Sequence, residues 1–207
     1  MAADEQLLAD ADRTGARFLR LYRWDPPALS FGRNEPTLDL YDRDEIERRG
    51  IAVVRRPTGG RAVWHEHELT YAVAAPIAVF GSLRAAYLAI HERLAVALRA
   101  LGAEATLAVR PSAHPSVGAG ACFASPVGGE ILVGGRKLVG SAQVRRGRAF
   151  LQHGSILLDG SQEVVTAVSR QPSAVTGETT LAAVLGRAVA FDELSAAIIA
   201  AWGDWRR

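Results

Sequence analysis

An α+β fold, with a mixed and largely antiparallel sheet packed with helices, is the class this sequence predicts. Three observations lead there. Runs with strand character are interleaved with runs of helical periodicity along the chain. Glycine turns at Gly134-Gly135 and Gly147 join successive strands as hairpins, and such hairpins outnumber the long crossovers of a doubly wound fold. No internal repeat is visible. At 207 residues, 49% hydrophobic and 22% charged, the chain can bury one good core and a small extension.

The elements follow in order. Ala2 to Thr14 sets Leu7, Leu8 and Ala11 on one side and acids elsewhere, which predicts a short amphipathic helix. The chain begins almost inside this helix, so either an upstream strand is missing or the start is unusual. Phe18 to Trp24 alternates as a strand and is ended by Pro26-Pro27; Ala28 to Phe31 reads as a second, shorter one. Asp39 to Arg49 predicts one helix, stopped by Gly50. Ile51 to Val54 is a buried strand candidate, and two more strands follow at Ala62–His65 and Glu68–Ala74.

Ser82 to Leu101 is the longest predicted helix. Leu83, Tyr87, Ile90, Leu94 and Leu98 recur at three- and four-residue spacings before Gly102. A Pro/Ser/Gly-rich stretch, Val109 to Gly120, separates it from strands at Glu130–Val133, Arg136–Arg145 and Ala149–Leu158. Gln162 to Trp205 is Ala-rich and predicted mostly helical, with loops at Gln171–Thr180.

Composition excludes several classes. A single cysteine, Cys122, cannot make a disulfide framework or, within this chain, a thiolate metal cage. No run reaches the roughly 20 apolar residues of a membrane span. The N-terminus also lacks a signal pattern, so a cytoplasmic protein without membrane partners is expected. The net charge is only +2, and the basic residues are scattered among 22 acids. That gives no long stripe of the kind a sequence-independent phosphate-binding surface usually shows, so nucleic-acid binding is unsupported and none is expected. The basic count is divided unevenly: 23 Arg against one Lys, Lys137.

Four segments carry candidate chemistry. In Arg56-Pro57-Thr58-Gly59-Gly60-Arg61, paired glycines let a backbone approach a ligand, and the arginines suit a carboxylate, a phosphate or a pantetheine phosphodiester. Taken alone, the loop reads more simply as a Gly-Gly turn beside a salt-bridged Arg pair. His65 closes this segment and is placed to line a pocket. With His67 it makes a weak metal pair that has no third ligand, so no metal is expected. His153-Gly154 pairs a side chain able to orient a substrate with a residue permitting close backbone contact; a hydrogen-bonded core histidine fits equally well.

Cys122 is the nucleophile candidate, although a lone cysteine is more often a small buried residue. An unassisted thiol is only a few per cent thiolate at neutral pH, and one well-placed ammonium changes that. A chain that uses Arg almost everywhere keeps Lys137 where a compact cation is needed and a guanidinium fork fails. The alternative is a chance survivor on a strand. Gly140-Ser141-Ala142 just beyond it leaves space for a ligand against the sheet.

Together these segments resemble the biotin/lipoate protein ligase superfamily. The matching segments are Arg55-Arg56-Pro57-Thr58-Gly59-Gly60 with His65, Gly135-Arg136-Lys137-Leu138-Val139-Gly140-Ser141-Ala142-Gln143 and Leu151-Gln152-His153-Gly154-Ser155. The opening Met1 to Leu8, Ala28-Leu29-Ser30-Phe31-Gly32 and Glu68-Leu69-Thr70-Tyr71 also fit. The resemblance covers 1–160 as a catalytic domain, with 161–207 a short helical extension of it. Thr58-Gly59-Gly60-Arg61 and Ala121-Cys122-Phe123-Ala124-Ser125-Pro126 are similar to the cysteine-dependent octanoyltransferase branch. Val127-Gly128-Gly129 departs from that branch's more aromatic segment.

The resemblance implies that Cys122 takes an octanoyl group from acyl carrier protein as a thioester, stabilised by Lys137. A lysine of a lipoyl domain or glycine-cleavage H protein then receives it. The loop and Gly140, Ser141 and Ala142 would hold the acyl group, with no cofactor needed. Two alternatives stay open: an ATP- and Mg-dependent lipoate–protein ligase, and a non-catalytic acyl- or carrier-binding subunit.

Overall fold

The computed structural model describes residues 1–108, 128–170 and 177–203. The chain runs through α1 (Ala2–Thr14), β1 (Phe18–Tyr22), β2 (Ala28–Phe31), α2 (Thr37–Leu40), α3 (Arg43–Arg48) and β3 (Ala52–Arg55). It continues through β4 (Val63–His65), β5 (Glu68–Pro76), a 3-10 turn (Ile77–Val79) and the long α4 (Leu83–Ala100). After β6 (Thr106–Leu107) come β7 (Ile131–Val133), β8 (Arg136–Lys137), β9 (Val139–Arg146) and β10 (Ala149–Leu157). The helices α5 (Glu163–Ala167), α6 (Leu181–Leu185) and α7 (Phe191–Trp202) follow.

A four-stranded antiparallel sheet, ordered β1-β5-β10-β9, positions everything else. Strand alternation gives it two different faces. Leu69, Tyr71, Val73 and Ala75 of β5 pack with Phe150 and Ile156 of β10 into the main core. Ile90, Leu94 and Leu98 of α4, with Leu194, Ile198 and Trp202 of α7, cover that face. On the opposite face, Ala72, Ala74, Ala149 and Leu151 meet Leu8 and Ala11 of α1. The α+β class with largely antiparallel pairing is therefore observed.

The strands divide among three sheets rather than one. β3-β2-β4 forms a second sheet that supplies the parallel pairing, β2 with β3, and β6-β7-β8 forms a third. The strand expected over Arg136–Arg145 breaks at Leu138: β8 pairs with β7, whereas β9 pairs with β10. The first strand also ends earlier, at Tyr22.

The single helix expected over Asp39–Arg49 is two. Tyr41 is extended (φ −127°, ψ 145°), and Asp42 begins α3 by accepting the amide of Glu45 on its side chain. An Asp three residues before a Glu is a capping pattern, and it restarts the helix where continuous periodicity predicts continuation. Ser82 caps α4 in the same way through the amide of Ala85.

Candidate functional site

The cleft of interest lies on the α1 face of the four-stranded sheet. In β9 the alternation turns Gly140 and Ala142 to that face, and in β10 it turns His153 and Ser155. These residues and Thr70 of β5 line a cleft. Tyr22 and Trp24, Arg56, Val63 and His65 line it as well. Gly154 is required there by packing. A Cβ at that position would sit 2.3 Å from the Gly140 carbonyl oxygen and 2.9 Å from the Tyr71 ring.

Arg56 organises the loop at the cleft. Its buried guanidinium donates to the Ser30 carbonyl (2.9 Å), to the Ser30 hydroxyl and to the Arg61 carbonyl (2.6 Å). A planar fork with several donors fixes three points at once. The plainer sequence reading, a salt-bridged Arg pair, fails for Arg55. That guanidinium is held by the carbonyls of Gly32, Arg33 and Glu35. Gly60 takes φ 95°, and its carbonyl lies so close to Gly32 that a Cβ there would come within 1.9 Å. Gly59 and Gly60 are exposed, and Arg61 is half-buried; none of the three lines the cleft.

Two buried carboxylate–histidine–hydroxyl chains tie this loop and β2 to the main sheet. In the first, His153 Nδ1 faces Asp4 Oδ2 (3.2 Å) and Nε2 faces Thr58 Oγ1 (2.6 Å). Burial opposes ionisation of Asp4. Hydrogen bonds from His153, Tyr22 and Arg20 outweigh that and hold its carboxyl below the usual range. Burial also pushes the His153 pKa down against the pull of Asp4, so the imidazole is neutral. It donates from Nδ1 to the carboxylate and accepts from the Thr58 hydroxyl at Nε2. In the second chain, His65 Nδ1 donates to Glu68 Oε1 (2.9 Å), and Nε2 meets Ser30 Oγ (2.5 Å). Trp24 stacks on His65 at 4.4 Å and donates to Thr70 Oγ1 (2.8 Å), which closes this side of the cleft.

Both hydroxyls are fully or almost fully buried, so these chains fix geometry rather than present nucleophiles. His67 is exposed beyond β4, and the described residues hold no group of three or more His, Cys, Asp or Glu able to bind a metal.

Lys137 is 2% exposed, and its ammonium donates to Glu130 Oε1 at 2.6 Å. It lies on β8, three residues before Gly140 of the cleft. Cys122 lies outside the described residues. Behind the cleft floor, Ser141 Oγ meets both Tyr71 OH (2.6 Å) and His91 Nε2 (2.8 Å). Seven predicted residues thus meet at one cleft: Arg56, His65, Gly140, Ser141, Ala142, His153 and Gly154. Thr58 reaches it through His153.

Sequence reasoning missed Asp4, Ser30, Glu68, His91 and Glu130. A signal existed for Asp4, which falls on the i, i+4, i+7 stripe with Leu8 and Ala11 and is buried with them. Ser30 and Glu68 fall in segments that carry the resemblance, and Glu68 lies three residues from its partner His65. His91 and Glu130 are polar residues that nothing local marks.

The family model for the lipoyl protein ligase A/B catalytic domain matches residues 1–203. An octanoyltransferase LipM of Moorella thermoacetica is 40% identical over 201 residues, covering 94% of this chain and 73% of that protein. One from Kyrpidia tusciae is 45% identical over 184 residues, 84% of this chain and 66% of that protein. Among solved structures, lipoate-protein ligase A bound with ATP superposes with a TM-score of 0.79 at 25% identity, covering 98% of this chain and 78% of that one.

Proposed function

The chain belongs to the lipoyl protein ligase A/B catalytic domain family, and on that premise we propose that it is an octanoyltransferase acting in protein lipoylation. The observation that carries this reading is the 40–45% identity to octanoyltransferases over most of the chain. The Ala121-Cys122-Phe123 segment supplies a candidate nucleophile. The donor is an octanoyl thioester on acyl carrier protein, and the acceptor is a lysine of a lipoyl domain or H protein.

In the first half-reaction the Cys122 thiolate attacks the thioester carbonyl. A new C–S bond forms to Cys122, and the carrier thiol leaves after taking a proton. In the second, the acceptor amine attacks that carbonyl, an amide forms, and the Cys122 thiol is regenerated. Lys137 supplies a buried cation for the developing negative charge, and Glu130 holds its ammonium in place. Gly140 and Ala142 lack bulky side chains on the cleft face, so the acyl chain has room against the sheet. The donor thioester is already activated, so this route consumes no nucleotide.

A second reading is supported by the likeness to an ATP-bound lipoate-protein ligase. There Lys137 and the Thr58-Gly59-Gly60 loop would hold an acyl-adenylate, with Cys122 a bystander. Intact-mass measurement separates the two. The transferase gives an octanoyl adduct from octanoyl-carrier protein that Cys122→Ala abolishes. ATP-dependent octanoylation of a lipoyl domain that survives Cys122→Ala would overturn it. Transfer under neither condition would leave an acyl-binding module.

A further inference from the structure

His91 sits on α4 with no exposed surface, and the proposed chemistry makes no use of it. Its Nδ1 lies 2.6 Å from the Gly129 carbonyl, which only accepts, so Nδ1 carries the proton. Nε2 is then an acceptor, and its nearest partner is Ser141 Oγ at 2.8 Å. Ser141 therefore donates to His91. Tyr71 donates to Ser141 (2.6 Å), and Gln152 donates to Tyr71 (2.9 Å). These hydrogen bonds all run one way, from the main sheet through the cleft residue Ser141 to the backbone at Gly129.

Gly129 is the residue before Glu130, whose carboxylate takes the Lys137 ammonium. The pair of residues is pinned on a second side, where Gly129 donates to Ala108 (2.8 Å) and Glu130 accepts from it (2.7 Å). The backbone of Gly129 is pressed onto α4, where a Cβ would meet Leu88 at 2.8 Å. Burial, with the Lys137 charge adding to it, pushes the His91 pKa down to about 4, so the imidazole keeps this one donor and one acceptor near neutrality.

We infer that His91 is a positioning residue for Lys137: its single imidazole sets the distance between Ser141 behind the cleft floor and the Gly129-Glu130 backbone that carries the lysine's carboxylate. This rests on the octanoyltransferase reading for its catalytic consequence, though not for its structural one.

Lys137 is the chain's only lysine, which gives a test independent of activity. Protein labelled with 15N at the lysine side chain shows one protein ammonium resonance. Three variants of the full chain are compared with wild type. His91→Asn keeps a donor where Nδ1 was; His91→Gln keeps a group near Nε2 and loses the contact to Gly129. Leu94→Ala opens a cavity in the same helix without touching Gly129.

The expected result is a Lys137 resonance near the wild-type position in His91→Asn and Leu94→Ala, displaced in His91→Gln. In octanoyl transfer, His91→Gln lowers kcat roughly tenfold or more with the donor KM within about twofold, because small misplacements of a catalytic group are costly. His91→Asn returns kcat to within about threefold of wild type.

A Lys137 resonance unmoved in His91→Gln would overturn the inference. So would one that Leu94→Ala moves as far, or a His91→Asn protein that folds yet behaves like His91→Gln. Wild-type protein that transfers no octanoyl group refutes the functional reading alone, and the resonance comparison still decides the role of His91.

Discussion

Lys137 Nζ lies 2.6 Å from Glu130 Oε1, and both side chains are within a few per cent of complete burial. Two opposite charges out of water, seven residues apart across the turn between β7 and β8, depend on each other. Removing one partner of a buried pair costs about 3–5 kcal/mol, because the remaining charge loses its compensation. Glu130→Ala should therefore lose roughly that much in urea unfolding and should also lose octanoyl transfer. Replacing both residues, Glu130→Leu with Lys137→Met, should recover much of the stability and none of the activity. A Glu130→Ala protein as stable as wild type would show that the pair contributes little.

The Thr58-Gly59-Gly60 loop makes a second, steric prediction. Gly32→Ala places a methyl group 1.9 Å from the Gly60 carbonyl oxygen, and backbone rather than a flexible side chain must move. Overpacking of this kind costs roughly 1–3 kcal/mol, and here it also displaces the Thr58-Gly59-Gly60 loop. At Gly59, by contrast, a Cβ meets nothing within 4 Å. Gly59→Ala should change thermal stability by less than about 0.5 kcal/mol, typical of an unconstrained surface position.

Thr58→Val tests the His153 chain at constant shape. It deletes the hydroxyl that donates to His153 Nε2 and leaves a buried acceptor unpaired, at a cost of roughly 1–3 kcal/mol. Thr58→Ser should restore most of that in denaturant titrations. Equal stability of the Val and Ser variants would rule out a contribution from the hydrogen bond.

Acid should weaken the fold through His91. Its pKa is about 4 in the folded protein against 6.5 unfolded, so between those values the unfolded chain binds more protons. This stabilisation is complete above about pH 6.5 and is lost as pH falls toward 4. At about 1.4 kcal/mol per pH unit, the total is about 3 kcal/mol. Asp4 has a lowered pKa, so its contribution is present above the ordinary carboxylate value of 3.8 and lost as pH falls below it. The lowered pKa of His153 acts in the same direction as that of His91. Urea unfolding from pH 7 to pH 4 should therefore show the decline in wild type, and His91→Phe should reduce it without abolishing it.

Much of this was legible along the chain. The hairpin glycines 134, 135 and 147 all take positive φ, as their turns require. The Leu83-to-Leu98 periodicity gave α4, capped at Ser82. The helix division at Tyr41 escaped a reading of periodicity because a capping Asp restarts the helix without changing the apolar spacing. The break at Leu138 escaped because a residue that passes from one sheet to another looks, locally, like continuous strand.

By itself, the sequence determined the α+β class, the singletons Cys122 and Lys137, and seven residues that meet at one cleft. Each has a local signature: a turn glycine, a periodic stripe, a rare residue type, or a motif of adjacent letters. Only the tertiary structure decided what holds them. Asp4 reaches Thr58 through His153, Glu68 reaches Ser30 through His65, and Glu130 neutralises Lys137. The physical reason is that a buried polar group must find a partner wherever the packed chain brings one. Both partners of His153, and Ser30 as the partner of His65, come from distant segments of the chain, a relationship local spacing does not record.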